Sequence, residues 1–280
     1  MTGVADRLRA RPLKIAAMLL LGASALVTVG AAAGLDRDDE GPAALPDGRL
    51  AFVDEFDGDT LDRSVWATCY RWALLSDLAG CTNAPNGEEQ WYLDEQVHVT
   101  DGAVHLVAED EPVEGVAPDG TATTFDYRSA LITTDRGFHF RYGYVEIEAR
   151  VPFDAGLWPA LWLLPSDGSW PPEIDILEVF GRRDGLLGFT FHGESGDKPE
   201  HRTTISGLDD VHTYGLLWLP DRIQWFVDGE QVFEVLDDIP DHSMFLVANL
   251  AVGGDHTTEV DERTEFPASV EIDSVRVWTR

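Results

Sequence analysis

Short runs of alternating hydrophobic and polar residues, separated by turn-forming residues, dominate positions 49–280. Residues 144–150 alternate with a period of two, as a half-buried strand does. Two further runs, 223–227 and 231–235, flank Asp228-Gly229, a pair that favours a tight hairpin turn. No segment of this region shows sustained helical periodicity. The pattern predicts one all-β domain, a sandwich of two antiparallel sheets.

The first 48 residues follow a different pattern. Basic side chains precede an uncharged apolar run at 15–29, and three alanines follow at 31–33. This order is typical of an export signal peptide over residues 1–33, and the length of the apolar run leaves an uncleaved membrane anchor as the alternative. Residues 34–48 are rich in Asp, Pro, Gly and Ala, which predicts a disordered linker. We therefore expect residues 49–280 to be secreted, or held at the cell surface by residues 15–33.

Export to an oxidising compartment gives the two cysteines a structural role. Cys69 and Cys81 are the only cysteines of the chain, and such a pair in an exported domain is expected to form a disulfide. On the chain-entropy view, a bridge of this length stabilises a domain by about 3 kcal/mol. Neither cysteine has a neighbouring histidine, so a zinc site is not expected.

The charge of the chain limits its partners. The formal net charge is −31, from 51 acidic and 20 basic residues. Such a surface repels phosphate backbones, so nucleic acid is excluded as a partner. A neutral polymer such as a polysaccharide is compatible with this charge. We expect a monomer whose contact with a membrane, if any, is through its N-terminal segment.

Three carboxylates are concentrated in one apolar run, at Glu173, Asp175 and Glu178. Residues two apart on a strand share a face, so the first two should point together, while Glu178 should point the opposite way. One extra residue, a β-bulge at Ile176-Leu177, would bring Glu178 back to the same face. Clustered carboxylates are costly, and retaining glycoside hydrolysis requires such a pair, one ionised and one protonated. The alternative is a solvated acidic strand in a very acidic protein.

Tryptophans close to these carboxylates favour a catalytic role. Trp158, Trp162 and Trp170 precede the acidic run within fifteen residues, and Trp91 lies further upstream. Flat sugar faces stack on such rings while carboxylates bind the hydroxyl groups. The combination predicts a carbohydrate-binding cleft.

Several segments occur in a recognisable order between Phe52 and Trp278. They are Asp54-Glu55-Phe56-Asp57-Gly58, Asn86-Gly87-Glu88-Glu89-Gln90-Trp91, Gly143-Tyr144-Val145-Glu146, residues 156–165, Glu173–Glu178, His212-Thr213-Tyr214, Val227-Asp228-Gly229, residues 249–254 and residues 273–277. As a set they resemble glycoside hydrolase family 16, in its laminarinase-like branch. The resemblance covers nearly all of residues 49–280, and it implies a concanavalin-like β-jelly roll with an open substrate cleft.

The resemblance also implies roles for the acidic run. Glu173 matches the nucleophile, Asp175 the assisting carboxylate and Glu178 the acid/base. The spacing Glu-x-Asp-x-x-Glu resembles the branch that contains β-1,3-glucanases, agarases and carrageenases. Basic residues, which would hold sulfate groups, are few near this motif, so a neutral β-glucan is the expected substrate.

Further sites follow from the same resemblance. The expected substrate-binding residues are Asn86, Trp158, Trp162, Trp170 and His192. The chemistry needs no cofactor.

A structural calcium ion is the expected metal, bound by Asp273 with backbone oxygens of Glu55 and Gly102.

Two positions depart from the family pattern, Leu131 in place of an arginine and Gly193 in place of an aromatic residue. Both departures lie near expected sugar subsites, so they leave open which glycosidic linkage the expected enzyme prefers.

The leading hypothesis is a secreted retaining endo-β-glucanase that hydrolyses β-1,3-glucan or mixed β-1,3/1,4-glucan by double displacement. Three competing hypotheses stay open. They are a glucan transglycosylase, an agarase-type galactan hydrolase and a non-catalytic β-glucan-binding protein.

Overall fold

Strands form about half of the protein, and α-helix is absent from the described residues. The computed structural model describes residues 42–71, 80–117, 119–181 and 185–280. The expected signal segment, 1–33, lies outside them. Two short 3-10 turns occur at Ala84–Asn86 and Asp94–Gln96. The strands are β1 Arg49–Asp54, β2 Gln90–Tyr92, β3 Val97–Thr100, β4 Ala103–Ala108, β5 Val113–Val116, β6 Ala122–Phe125, β7 Tyr127–Ser129, β8 Leu131–Thr133, β9 Gly143–Arg150, β10 Leu157–Pro165, β11 Glu173–Val179, β12 Leu186–His192, β13 Glu200–Thr204, β14 His212–Leu219, β15 Arg222–Val227, β16 Glu230–Val235, β17 Met244–Val252 and β18 Ala268–Thr279.

Two large antiparallel sheets make up the domain. The back sheet has the order β16-β15-β14-β9-β18-β4-β3, and β1 also pairs with β18. The cleft sheet has the order β13-β12-β11-β10-β17-β8. Two small sheets flank them, an antiparallel β5-β6 pair and a parallel β2-β7 pair. This arrangement confirms the predicted all-β sandwich of the jelly-roll type.

The local patterns in the sequence match the strands that form. The alternating run at 144–150 lies within β9. Asp228 and Gly229 connect β15 to β16 with positive φ angles of 50° and 78°, as a type I′ turn requires. A continuous apolar core fills the space between the two sheets, and both β10 and β17 are buried along their whole length. The cleft sheet is therefore a rigid support for the side chains on its outer face.

Part of the expected linker is ordered, which corrects the prediction for residues 42–48. Leu45 is fully buried and packs in a small cluster with Tyr144, Leu217 and Trp278. Its backbone N–H donates to Pro42 O at 2.8 Å, and Gly48 N–H donates to Leu45 O at 2.9 Å. Leu45 is the only large apolar side chain of residues 42–48, so it forms no periodic pattern and its packing could not be read from composition. The remainder of the expected linker lies outside the described residues.

A disulfide closes the segment between residues 69 and 81, which precedes β2. Cys69 and Cys81 form a disulfide with their Cα atoms 5.8 Å apart. Cys81 also pairs with Tyr92 through two main-chain hydrogen bonds, of 3.1 and 2.7 Å.

Among the described residues, no helix is long and apolar enough to span a membrane.

Candidate active site

The predicted bulge lies on β11, between the second and third carboxylates. On the β10 side, Leu161 pairs with Leu177 and Trp162 pairs with Asp175, so Ile176 has no partner in this ladder. Ile176 and Leu177 are both buried in the core. The extra residue lets two consecutive side chains point inward, which returns the next one to the outer face.

The register of β12 shows the result of this bulge. Glu173 pairs with His192, Asp175 with Thr190, and Glu178 with Gly188. The three partners are two residues apart on a regular strand and share one face. The three carboxylates therefore lie on the same face of the cleft sheet, as the spacing predicted.

Glu173 and Asp175 are held at one end of this row. Trp170 donates its Nε1–H to Glu173 Oε2 at 2.9 Å. His192 Nε2 lies 3.4 Å from Glu173 Oε1 and 3.4 Å from Asp175 Oδ2. Asp175 is only 4% exposed. The histidine nitrogen therefore lies within ion-pair distance of both carboxyls.

Glu178 has a different set of partners. Trp158 donates Nε1–H to its Oε1 at 3.2 Å, and the Thr190 hydroxyl donates to its Oε2 at 3.2 Å. Both donors are neutral, and both belong to strands that flank β11. They orient the carboxyl without adding a charge.

The buried position of this group changes its acidity. Burial raises the pKa of Glu173 to about 8, and the Asp175 carboxyl adds to the rise. Burial, followed by repulsion from Glu178, raises the pKa of Asp175 well above its ordinary value. Burial also raises the pKa of Glu178, and it lowers the pKa of His192. The cluster therefore retains protons at neutral pH, and a general acid is available there.

An open cleft of about 630 Å³ lies over the carboxylates. Ala160 and the two tryptophans of β10 form its floor, next to Asn249 on β17. Trp170 covers one side and is 64% exposed. The walls also include Tyr70, Asn86, Glu88, His192 and Lys198.

All five residues expected to bind substrate line this cleft. Trp158 and Trp162 are buried, at 7% and 8% exposure, and their Nε1–H groups are bound to protein acceptors. Trp170 presents the larger free ring surface. Trp91, by contrast, packs on Phe125 with ring centroids 5.0 Å apart and does not belong to the cleft lining.

The expected calcium ligands lie elsewhere, where three strands of the back sheet meet. Asp273 is at a register shift in β18, between Ile272 and Ser274. Gly102 directly precedes β4 and Glu55 directly follows β1, and both strands pair with this part of β18. Topology therefore brings the three positions to one place.

The side chains at that place fit a cation only in part. Both carboxylate oxygens of Glu55 accept hydrogen bonds from Arg276, at 3.0 and 2.9 Å, so its side chain already has a cationic partner. Burial raises the pKa of Asp273, and Glu271 and Glu148 add to the rise. A calcium ion would relieve this repulsion, with one carboxylate, main-chain oxygens and water as its ligands.

A second group of residues has the geometry of a metal site. Among the described residues, ligand atoms of Glu173, Asp175 and His192 lie within 4.8 Å of one another. These are the carboxyls and the histidine of the cleft itself. Their bonds to each other and to Trp170 account for the arrangement without a metal.

Several cleft residues were not identified from the sequence. Glu88 and Asn249 lie in segments that carried the resemblance, but no chemical pattern marked them. Tyr70 and Lys198 come from loops without a motif. Only the packing of distant segments brings these four side chains to the carboxylates.

The departures at Leu131 and Gly193 have structural reasons. Leu131 is fully buried in an apolar cluster with Trp162 and Phe245. A Cβ at Gly193 would lie 2.2 Å from Asp238 Oδ2, which accepts a hydrogen bond from Ser195 N–H. A side chain at position 193 would force the Asp238 carboxyl to move and would disturb its bond to Ser195.

Comparison with known proteins agrees with the geometry. A sequence profile of the glycosyl hydrolases family 16 matches residues 90–268. Endo-1,3-1,4-beta-glycanase ExsH of Rhizobium meliloti is 33% identical over 81% of this chain and 51% of its own length. A beta-glucanase of Rhodothermus marinus is 31% identical over 88% of each chain. The crystal structure of an endo-beta-1,3-glucanase from Pyrococcus furiosus has a TM-score of 0.74 at 29% identity, over 83% of this chain and 94% of that one.

The chain spans about half the length of the two Rhizobium meliloti relatives that it matches. The profile match covers more than half of the chain, and it includes all three carboxylates of β11. On this evidence the chain belongs to the glycosyl hydrolases family 16.

Proposed function

We propose that this chain is a secreted endo-β-glucanase that hydrolyses β-1,3-glucan or mixed β-1,3/1,4-glucan with retention of configuration. The observation that carries the proposal is the row of three carboxyls, brought into phase by the bulge of β11 beneath an open cleft. The names of its relatives, an endo-1,3-1,4-beta-glycanase and an endo-beta-1,3-glucanase, support this substrate class.

In the first step, the Glu173 carboxylate attacks the anomeric carbon of the sugar. Glu178 gives its proton to the glycosidic oxygen, the bond to that oxygen breaks, and a glycosyl ester forms on Glu173. In the second step, Glu178 takes a proton from water, and the water oxygen displaces Glu173. Two inversions at one carbon retain the β-configuration.

Asp175 and His192 prepare the nucleophile. The proton that Glu173 must lose before attack has acceptors close by, since Asp175 hydrogen-bonds to Glu173 and His192 Nε2 is 3.4 Å away. Substrate displaces water from the cleft and brings the anomeric centre, which gains positive charge in the transition state, against the carboxylate. Asp175 then keeps the proton as a neutral acid, which reduces the charge repulsion between the three carboxyls of β11.

The products of digestion test the proposal. Laminarin and lichenan should be cut to short oligosaccharides, while agarose and carrageenan should stay intact. The first product seen by proton NMR should be the β-anomer, which converts later to the α-form by mutarotation. An α-anomer at the earliest time would contradict double displacement, and cleavage of agarose alone would favour a galactan hydrolase.

The lengths of the products also separate hydrolysis from transglycosylation and from binding alone. Products longer than the substrate at high oligosaccharide concentration would indicate transglycosylation. Binding of laminarin without any release of reducing ends would indicate a non-catalytic glucan-binding protein.

We also propose that the domain acts outside the cytoplasm. The disulfide between Cys69 and Cys81 supports this location, because cytoplasmic thiols are kept reduced. The acidic surface is compatible with a neutral extracellular polysaccharide.

We propose calcium as a structural ligand at Asp273. Calcium at about 100 times its Kd should raise the melting temperature by roughly 5 °C or more over an EDTA-treated sample. Asp273→Asn should abolish this shift, and Asp209→Asn, an exposed acidic position, should retain it. Equal melting temperatures with calcium and with EDTA would contradict the site.

A further inference from the structure

A buried carboxyl outside the catalytic row, Glu88, lies in the wall of the cleft. Its side chain is 7% exposed, and it lines the same cleft as Glu173 and Glu178. It comes shortly after the 3-10 turn that ends at Asn86. The proposed reaction gives Glu88 no chemical step, although a buried carboxyl is costly to keep.

Hydrogen-bond donors surround both oxygens of Glu88. Asn86 Nδ2 donates to Oε1 at 3.2 Å, and the main-chain N–H of Asn83 also donates to the carboxylate. Gln90 Nε2 donates to Oε2 at 2.6 Å, and the Tyr92 hydroxyl donates to the same oxygen at 3.1 Å. A carboxylate can accept all four bonds. A carboxylic acid carries a proton of its own, which would point at one of these donors.

Two of the side-chain donors cannot turn away. Gln90 Oε1 accepts the main-chain N–H of Val252 at 2.7 Å, so its amide nitrogen must face Glu88. The Tyr92 oxygen accepts Asn249 Nδ2–H at 3.0 Å, so its own proton points to Glu88.

The orientation of Asn249 is fixed in turn from the cleft floor. Trp162 donates Nε1–H to Asn249 Oδ1 at 2.8 Å, which directs the Asn249 amide nitrogen to Tyr92. In this series of hydrogen bonds each group donates to the next one, from Trp162 on the cleft floor through Asn249 and Tyr92 to Glu88.

Asn86 is the donor that can move. Its side chain is half-buried at the cleft, and no hydrogen bond within the described part of the chain holds its Oδ1. The fixed donors Gln90 and Tyr92 occupy Oε2, so a proton taken up by Glu88 competes with the Asn86 N–H at Oε1, and the Asn86 amide can then rotate. The amide group that the family resemblance assigns to sugar binding then loses its orientation.

The proton on Glu88 is gained and lost near neutral pH. Burial raises the pKa of Glu88 to about 7, against the lowering effect of its hydrogen-bond donors. Burial also raises the pKa of Tyr70 and Tyr92 well above the ordinary value, so both phenols stay neutral in this range.

Other ionisable groups around this segment differ from Glu88 in burial or in acidity. Glu173 on β11 has a pKa of about 8, raised by burial. Glu89, Asp255 and His256 are exposed, so solvent screens their charges. The buried carboxyl is thus the group whose proton changes the bond to Asn86.

We propose that Glu88 is a positioning residue that holds the Asn86 amide toward the bound sugar, and that a proton on Glu88 releases this amide and weakens glucan binding. The inference rests on the proposed function, because it concerns binding of the same β-glucan. Asn86 donates to Glu88 and not to the catalytic carboxyls, so the effect falls on KM rather than on kcat.

Initial rates on soluble laminarin between pH 5.5 and 9 test the proposal. If only the ionised form of Glu88 binds sugar well, KM should be about tenfold higher at pH 6 than at pH 8. Glu88→Gln keeps the shape of the side chain but places an amide among donors. Its KM should be high at both pH values, close to that of the wild type at pH 6. Glu89→Gln, the exposed neighbour, should keep the wild-type profile.

A second variant separates positioning from general damage to the fold. Tyr92→Phe removes one donor and should raise the pKa of Glu88, which moves the midpoint of the KM profile to higher pH. A merely structural defect would change KM without moving the midpoint.

The outcomes distinguish this inference from the proposed function. Hydrolysis of laminarin with a KM that does not depend on pH, or a pH-dependent KM that persists in Glu88→Gln, would overturn the role of Glu88 alone. The absence of hydrolysis of every β-glucan tested would overturn both.

Discussion

Glu173→Gln and Glu178→Gln should each reduce kcat on laminarin by about 10³-fold or more. Glutamine has the size of glutamate, but it can neither attack the anomeric carbon nor give a proton to the leaving oxygen. Trp170 and His192 flank the first carboxyl, and Trp158 and Thr190 donate to the second. These residues stay in place, so binding of laminarin should be largely unchanged. Release of reducing ends measures the first effect, and calorimetric titration measures the second.

The two variants should differ in the step that they block. With an activated aryl glucoside, azide should restore turnover to Glu173→Ala as an α-glycosyl azide, because one displacement inverts the centre. With Glu178→Ala, azide should give the β-azide through the normal glycosyl ester. Glu230→Gln, an exposed carboxyl on the back sheet, is the matched control. Wild-type turnover in either catalytic variant would overturn the assignment.

Glu173→Gln should also make the protein more stable at pH 8. The folded protein holds the pKa of this carboxyl at about 8, against an ordinary value of 4.5. The folded state therefore binds more protons than the unfolded state between these values, and wild-type stability falls as pH rises through this window. Glutamine does not ionise, so the variant does not lose stability in this way as pH rises.

The size of the gain follows from the environment of Glu173. A pKa rise of this extent corresponds to roughly 5 kcal/mol at most. The Glu173 side chain is 16% exposed, and partial access of water reduces the effect. We expect an increase on the order of 2–3 kcal/mol in the free energy of unfolding at pH 8.

Urea unfolding at pH 8 and at pH 4.5 measures this gain. The difference between variant and wild type should be large at pH 8 and should nearly vanish at pH 4.5. Glu230→Gln should show no pH-dependent difference. A variant less stable than wild type at pH 8 would contradict the view that burial of this carboxyl opposes folding.

Local periodicity predicted the row of three carboxyls because each of its determinants lies within a few residues. The two-residue repeat of a strand places Glu173 and Asp175 together, and the spacing of five to Glu178 requires one inserted residue. The register on β12 confirms the bulge at the predicted dipeptide. The Asp228-Gly229 hairpin was predictable for the same reason.

Long-range packing decided what local patterns did not predict. Leu45 is buried by Tyr144, Leu217 and Trp278, which are distant in the chain, so the composition of residues 34–48 indicated disorder where 42–48 are ordered. Glu88 lies in a recognised segment, but the orientation of its Tyr92 donor depends on Trp162 of β10 and Asn249 of β17.

The order of residues along the chain was enough to predict the fold class, the face that carries the three carboxylates and the family to which the chain belongs. These follow from short-range alternation, turn residues and motif order. Which carboxyls keep a proton at neutral pH, and which side chains complete the cleft, became clear from the folded arrangement of the strands. A pKa depends on burial and on charges brought from other strands, and neither is encoded by spacing along one strand.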